Sequence, residues 1–402
     1  MKYIVIVPDG MFDHPVEDLD KRTPLQVART PHMDYLAQHG MTGMVQTIPD
    51  KLPPGSDVGN MAILGYDPCT SLTGRSPLEA ANMGITLKDN EVSFRCNLVT
   101  ERDGIMIDYS AGHIRTDEAA LLIQALNEEI EDEDIVFYPG KSYRHIMVLR
   151  TDTPQEYMAL KTVPPHDISD KNITGYLPQG RLDSRIRDLI AKSREIFAGH
   201  SVNQVRIDLQ ENPATMIWLW GQGTKPNLEP FAQKYGLKGS IISAVDLVNG
   251  IGRLAGLDII DVPGATGYFD TNYAGKAEYA LNSLEDHDYV YVHIESPDEA
   301  GHVGSYKEKI RAIENIDKHI VGPIRDYVDA HPDSRMLVLP DHPTPVALRT
   351  HTHEPVGFAM YGKGIEHNGA ELYNEENTRA LGIKFKSGEE MISWFVRENL
   401  CF

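Results

Sequence analysis

The sequence lacks what several function classes require. It has only three cysteines, Cys69, Cys96 and Cys401, with no CxxC pair and no regular spacing. That excludes a disulfide framework and suits a reducing compartment, where the thiols serve as small buried residues. Positive charge is scarce, with 38 Lys and Arg against 59 Asp and Glu and a net charge of −21. Such a surface disfavours nucleic acid and anionic membranes as partners. An anionic substrate would then need a locally positive pocket, supplied by metals or by a few Arg and Lys. No apolar run approaches membrane length, and the opening YIVIVPDG is too short for a signal segment. A soluble, cytoplasmic protein is expected.

Familiar phosphate and hydrolase motifs are missing as well. No GxxxxGK[ST] loop exists; Gly275-Lys276 lacks both the preceding Gly and the following Ser or Thr. The context of Ser56 is GSDVG, not the GxSxG of an esterase elbow. No GxGxxG follows the first strand, and no internal repeat is visible.

What remains is a globular chain of 402 residues with 41% hydrophobic content, long enough for two domains. Strand and helix signals alternate through the first ninety residues and again through the last half, from YIVIV and PHMDYLAQHG to RMLVLPD and PVGFAMY. Short apolar strands between amphipathic helices imply an α/β layer fold with a mainly parallel sheet flanked by helices. From Ser305 onward Ile310, Ile313, Ile316, Ile320, Ile324 and Val328 recur at helical spacing, with a kink expected at Gly322-Pro323. The middle differs: VSFRCNLVT, GIMIDYSAG, DIVFYPG and YRHIMVLR are strand-like with fewer helices between them. Residues 92–210 therefore read as an inserted α+β domain, and 1–91 with 211–402 as the core.

Four polar motifs adjoin the apolar strands of that core. Asp9 ends the first strand; Asp298 and His302 follow YVYVHIE; Asp341 and His342 end MLVLPDH; His351 precedes PVGFAMY. In a parallel α/β sheet, ligand sites collect beyond the carboxyl ends of the strands. Carboxylate and imidazole groups suit divalent zinc, manganese or magnesium. Asp298 and His302, four residues apart, share one face of a helical turn. Each motif alone has a plainer reading: Asp-Gly as a turn, DxxxH as a helix-surface pair, Asp-His-Pro and HxH as loops. Their joint placement after apolar strands points to metal-assisted chemistry.

Ser56 lies in LPPGSDVGNMAILGY, where Pro53, Pro54 and Gly55 oppose regular structure and a helix follows. By itself it reads as an N-cap. The same helix terminus also attracts phosphate, through its unpaired N–H groups and dipole.

With these residues assembled, the chain closely resembles the cofactor-independent phosphoglycerate mutases of the archaeal-type branch, in the alkaline phosphatase superfamily. The likeness spans the whole chain, through PDGM, LPPGSDVGNMAILGYDP, GRSPLEAANMGI, FRCNLVT, DYSAGHI, NPATMIWLWGQG, VPGATGYFDTNYAGKAEYAL, ESPDEAGHVGSYKEKIRAIENID, LPDHPTP and RTHTHEPV. It implies an alkaline phosphatase-like core and two divalent ions (Mn, Mg or Zn), with no 2,3-bisphosphoglycerate required. By that resemblance Asp9, Ser56, Asp341 and His342 hold one ion, and Asp298, His302 and His351 the other. His353 would be a supporting or loop residue.

The resemblance also casts Ser56 as the nucleophile that becomes phosphoserine while 3-phosphoglycerate and 2-phosphoglycerate interconvert. The inserted domain would supply substrate contacts and exclude water. Arg95, Asn97, His113, Arg115, Lys141, Arg144, His166 and Asp167 are the candidates, with Lys276 from the core. Arg binds carboxylate or phosphate bidentately, and His113 or Asp167 would move protons on the glycerate hydroxyls. One departure is Asn249, in AVDLVNGI, where related mutases often carry Lys. LPDHPTP and RTHTHEP also look like a sister group proposed to phosphorylate homoserine, which keeps the same serine site and changes the acceptor.

Overall fold

The computed structural model describes residues 1–382 and 384–397; Cys401 lies outside them. Strands β1 (Lys2–Pro8) and β2 (Met41–Val45) come first. Then follow β3 (Glu91–Arg102), β4 (Ile105–Asp108), β5 (Ile135–Tyr138), β6 (Arg144–Arg150) and β7 (Met216–Thr224). The chain continues with β8 (Gly239–Ile242), β9 (Asp258–Ile259), β10 (Tyr289–Ile294), β11 (Ser334–Val338), β12 (Val356–Gly362) and β13 (Lys384–Phe385).

One unit comprises Met1–Leu72 and the chain from Asn227 onward. Its sheet runs β13-β2-β12-β11-β1-β10-β8-β9. All neighbours are parallel except β12, which is antiparallel to both β11 and β2. The central strands β1, β10 and β11 are buried nearly end to end, as parallel strands covered on both faces must be. Their carboxyl ends lie side by side. Because β12 runs the other way, the loop that precedes it arrives at that same end of the sheet.

Helices flank the sheet, and their ends follow from local chemistry. The segment after Ser305 is one continuous helical rod, capped where the Ser305 side chain accepts the Glu308 N–H. The kink expected at Gly322-Pro323 is taken up by a π-turn over Asp317–Val321, which leaves Pro323 in the first turn of the helix Gly322–Ala330. No helix among the described residues is long and apolar enough to cross a membrane.

The second unit comprises Thr73–Pro226. Its sheet is antiparallel: β3 pairs with β6 along one edge and β7 along the other, while β4 extends its far end. This unit is wider than the division at 92 and 210. The strand β7 completes the sheet around β3, and Ala80 and Leu87 bury themselves with Ile146 and Val148. A run such as MIWLW is equally apolar in either sheet, so its sequence does not say which one it joins. Cys96 is buried in this unit as expected, whereas Cys69 in the other unit is exposed.

Candidate active site

The carboxyl ends of β11, β1 and β10 gather the polar residues. Asp9 follows Pro8 directly, Asp298 sits on the short helix Ser296–His302, and Asp341-His342 lie just past β11. Asp9, Asp341 and His342 are wholly buried and Asp298 nearly so. Gly10 makes the close packing feasible. It has φ of +62°, and a Cβ there would sit 2.6 Å from Asp298 Oδ1.

Ser56 is not the N-cap expected from sequence. Gly55, in extended conformation, takes the cap position, and its carbonyl receives the Val58 and Gly59 N–H groups. Ser56 is therefore the first residue of the helix Ser56–Ile63, and its hydroxyl caps nothing. Its Oγ lies instead 3.3 Å from His342 Nε2.

The polarity of the imidazoles defines what this cluster presents. His302 Nδ1–H donates to the Arg349 carbonyl at 3.1 Å, and His351 Nδ1–H to the Pro54 carbonyl at 3.4 Å. The Thr344 hydroxyl donates to Asp298 Oδ1 at 2.5 Å, so its oxygen accepts His342 Nδ1–H at 3.2 Å. All three rings thus turn Nε2 inward. His302 Nε2 lies 3.1 Å from Asp298 Oδ2, and His351 Nε2 lies 3.4 Å from Asp298 Oδ1. His342 Nε2 is 3.6 Å from Asp9 Oδ1 and 3.4 Å from Asp341 Oδ2, and a nitrogen of the same ring falls within 4.8 Å of ligand atoms of Asp298 and His351. It borders both groups.

The carboxylates are held as firmly. Asp341 Oδ1 accepts the Gly10 and His342 amides, and its Oδ2 accepts Asn60 Nδ2 at 2.8 Å. Asn60 is in turn fixed by the Tyr291 hydroxyl at 2.6 Å and by its own bond to the Ser56 carbonyl. Burial, reinforced by Asp341, Glu295 and Asp298, pushes Asp9 well above the usual carboxylate range. Burial and Asp298 likewise raise Glu295 to about 8. Burial opposes ionisation of Asp298, but its bonds from His302 and His351 hold it well below that range. Its partner His302 is lifted to about 9, chiefly by the same bond to Asp298. Buried carboxyl groups beside three inward Nε2 atoms are the donor set that a divalent cation satisfies. The residues fit such ions.

Other residues stand differently from expectation. Lys276 is fully buried and donates to the His293 carbonyl at 2.6 Å, which makes it a strut under β10 rather than an arm toward substrate. Burial lowers its ammonium to about 8. His353 braces the Leu52 carbonyl at 2.9 Å. Asn249 holds the Ser243 carbonyl at 3.1 Å. Sequence reasoning passed over Asn60, Thr344 and His293, the last of which bonds Asp9 Oδ2 at 2.9 Å. A lone polar residue inside the apolar run YVYVHIE was the available signal for His293.

In the second unit Arg95, Asn97, His113, Arg144 and His166 gather near an aromatic set. The Arg95 guanidinium lies 4.0 Å over the Trp220 ring and pairs with Glu79 at 2.9 Å. Asn97 accepts the Trp220 indole N–H at 3.0 Å. His166 packs edge-on against Trp220 and Tyr109, with Asp167 3.7 Å away; His113 packs against Tyr143, as the Arg144 guanidinium does at 6.0 Å. Burial lowers Arg95 despite Glu79, and the nearby charges of Arg75 and Arg144 add to the effect. Arg75 was not among the sequence candidates, although GRSPLEA contains it. Arg115 stands apart, spent on Asp117 in the first turn of the helix Thr116–Glu129. Lys141 is exposed in the turn before β6.

Residues 37–203 match the family model described as 2,3-bisphosphoglycerate-independent phosphoglycerate mutase. A Methanosarcina acetivorans protein of that name is 48% identical over 399 residues, covering 99% of this chain and 100% of its own. A solved Thermoplasma acidophilum structure, described as a cofactor-independent phosphoglycerate mutase, superposes with a TM-score of 0.68 at 27% identity, covering 98% of each chain. A Pyrococcus horikoshii structure superposes with a TM-score of 0.83 at 26% identity, covering 100% of this chain and 99% of the other.

Proposed function

The chain belongs to the 2,3-bisphosphoglycerate-independent phosphoglycerate mutase family, and from that premise we propose that it moves the phosphoryl group between the 3- and 2-hydroxyls of glycerate through phospho-Ser56. The carrying observation is the Ser56 hydroxyl, free of capping duty and 3.3 Å from an inward Nε2 of His342. Asp9, Asp341, His342 and Ser56 would hold one divalent ion, and Asp298, His302 and His351 a second. Such ions lower the pKa of a serine hydroxyl and offset charge on phosphoryl oxygens.

The chain's own groups carry the rest. Ser56 Oγ forms its bond to phosphorus as the ester bond to the glycerate 3-oxygen breaks. The N-terminal end of the helix Ser56–Ile63 would turn its positive dipole toward the phosphoryl oxygens. The glycerate turns while retained, its 2-oxygen attacks, and Ser56 Oγ leaves. The proton lost by Ser56 in the first half is regained in the second, so no external phosphate donor is needed. The Arg95 cluster offers the guanidinium chemistry that binds a carboxylate or phosphate.

The full-length relatives are named as mutases, which favours the glycerate hydroxyl over homoserine as acceptor. The test is an enolase-coupled assay without 2,3-bisphosphoglycerate, run beside a homoserine phosphorylation assay. Acid-quenched enzyme should carry one phosphoryl group on Ser56, and Ser56→Ala should abolish both label and turnover. Turnover that persists in Ser56→Ala would sink the phosphoserine reading.

A further inference from the structure

His293 is wholly buried on β10 and belongs to a group with Asp9 and Asp341 whose ligand atoms lie within 4.8 Å of one another. Proximity alone would make it one more ligand. Its hydrogen bonds say otherwise. Ser243 Oγ accepts the Val245 N–H at 3.0 Å and lies 3.2 Å from His293 Nδ1. With one lone pair occupied by Val245, the Ser243 hydroxyl is set to donate to Nδ1. At the opposite edge of the ring, Nε2 meets Asp9 Oδ2 at 2.9 Å. With Nδ1 accepting the Ser243 hydroxyl, the neutral ring carries its hydrogen on Nε2, facing Asp9 Oδ2. This tautomer is the reverse of the Nδ1–H arrangement of His302, His342 and His351.

The consequence falls on Asp9. Its Oδ2 is consumed by His293, while its buried Oδ1 has no hydrogen-bond partner among the described residues. That orphaned oxygen lies 3.6 Å from His342 Nε2. Asn249 steadies the start of the relay by binding the Ser243 carbonyl. Lys276 steadies the strand by binding the carbonyl of His293 itself.

We infer that His293 is a positioning residue, in which the relay Ser243–His293–Asp9 orients the Asp9 carboxylate so that one oxygen alone faces the ion held with Asp341 and His342; this presupposes the two-ion reading proposed above. Outer partners of this kind typically tune metal affinity by about 10–100-fold.

Mn(II) titration followed by EPR tests the relay without reference to turnover. His293→Leu should weaken the tighter or weaker of the two uptake steps by about tenfold or more, with the other step unmoved. His293→Gln, whose amide N–H reaches the Nε2 position, should restore most of that affinity. Ser243→Ala, a milder change that leaves the ring in place, should give a smaller loss. Thermal midpoints measured in EDTA separate this from a folding defect, because Leu and Gln should then behave alike. Undiminished uptake in both His293→Leu and Ser243→Ala overturns the inference while leaving the two ions intact. Loss of a whole equivalent that Gln does not restore overturns it too, since His293 would then be a ligand. Wild-type protein that takes up no Mn, Mg or Zn overturns the two-ion reading, and the inference with it.

Discussion

The Nε2 atoms of His302 and His351 lie 3.0 Å apart, and each ring has its Nδ1 hydrogen committed to a backbone carbonyl. Two lone pairs at that distance repel unless a proton or a cation lies between them. In the metal-free chain the proton belongs on His302, whose bond to Asp298 lifts it to about 9. Ion uptake must therefore displace a proton. Mn(II) affinity should rise with pH from 6 to 9, and proton release on binding should be seen by calorimetry in buffers of different ionisation enthalpy. His351→Ala should remove one bound equivalent. Uptake that is flat across this range would contradict the arrangement.

Chelation should cost stability as well as activity. Asp9 and Glu295 are both pushed upward by burial and by neighbouring carboxylates, so the metal-free site is strained by like charge. Adding Mn(II) should raise the thermal midpoint, and the rise should shrink in Asp298→Asn.

Asn60 is a fully used amide, joining Asp341, the Ser56 carbonyl and the Tyr291 hydroxyl. Tyr291→Phe leaves its oxygen without that donor in a buried setting, which costs about 1–3 kcal/mol. The midpoint should fall accordingly, and kcat should fall with KM little changed. A loss confined to KM would argue against this support role.

Alanine normally improves a helix over glycine by about 1 kcal/mol. At Gly59 the sign should reverse. A Cβ there would lie 2.8 Å from the Asp341 carbonyl oxygen and 2.9 Å from Asp341 Cβ, so the helix or Asp341 must move. Gly59→Ala should lower both stability and Mn(II) affinity. Denaturant unfolding and metal titration on one preparation check the pair.

Glu375 is buried far from these residues in sequence, accepting the Asp13 amide and the Thr23 hydroxyl, and burial raises it to about 7. Its folded pKa exceeds the unfolded value of about 4.3, so the native state holds the extra proton between them. Stability from this group is present at low pH and is lost as pH rises toward 7. Glu375→Gln should flatten that part of the stability–pH curve, by an amount on the order of 3 kcal/mol at about 1.36 kcal/mol per unit. An unchanged curve would refute it.

The proposed substrate contacts separate by environment. Arg95→Lys loses the planar stack on Trp220 and the ion pair with Glu79, so KM should rise about tenfold or more. Arg115→Ala should leave KM unchanged, because that side chain serves Asp117.

Much was legible before any coordinates. Apolar strands ending in Asp9, Asp298 and Asp341 announce a ligand site in a parallel sheet, because such strands all present one end to the same edge. The DxxxH spacing placed Asp298 and His302 on one helical turn, as found. Ser56 was harder, since a capping serine and a displaced one share the same sequence context, and only the backbone of Gly55 separates them. The limits of the insert were harder still, because β7 carries no mark of the sheet it joins.

Composition, periodicity and motif order by themselves determined the α/β class, the insertion and the residue types available for chemistry, because burial and strand direction are written in local pattern. Which way each imidazole faces was decided only by tertiary structure. The hydrogens of His302, His342 and His351 are held by Arg349, Thr344 and Pro54 respectively, and that of His293 faces Asp9, partners of which all but Thr344 lie tens to hundreds of residues away. Four histidines identical in sequence terms thereby become three rings anchored through Nδ1–H with Nε2 inward, and one of the opposite tautomer.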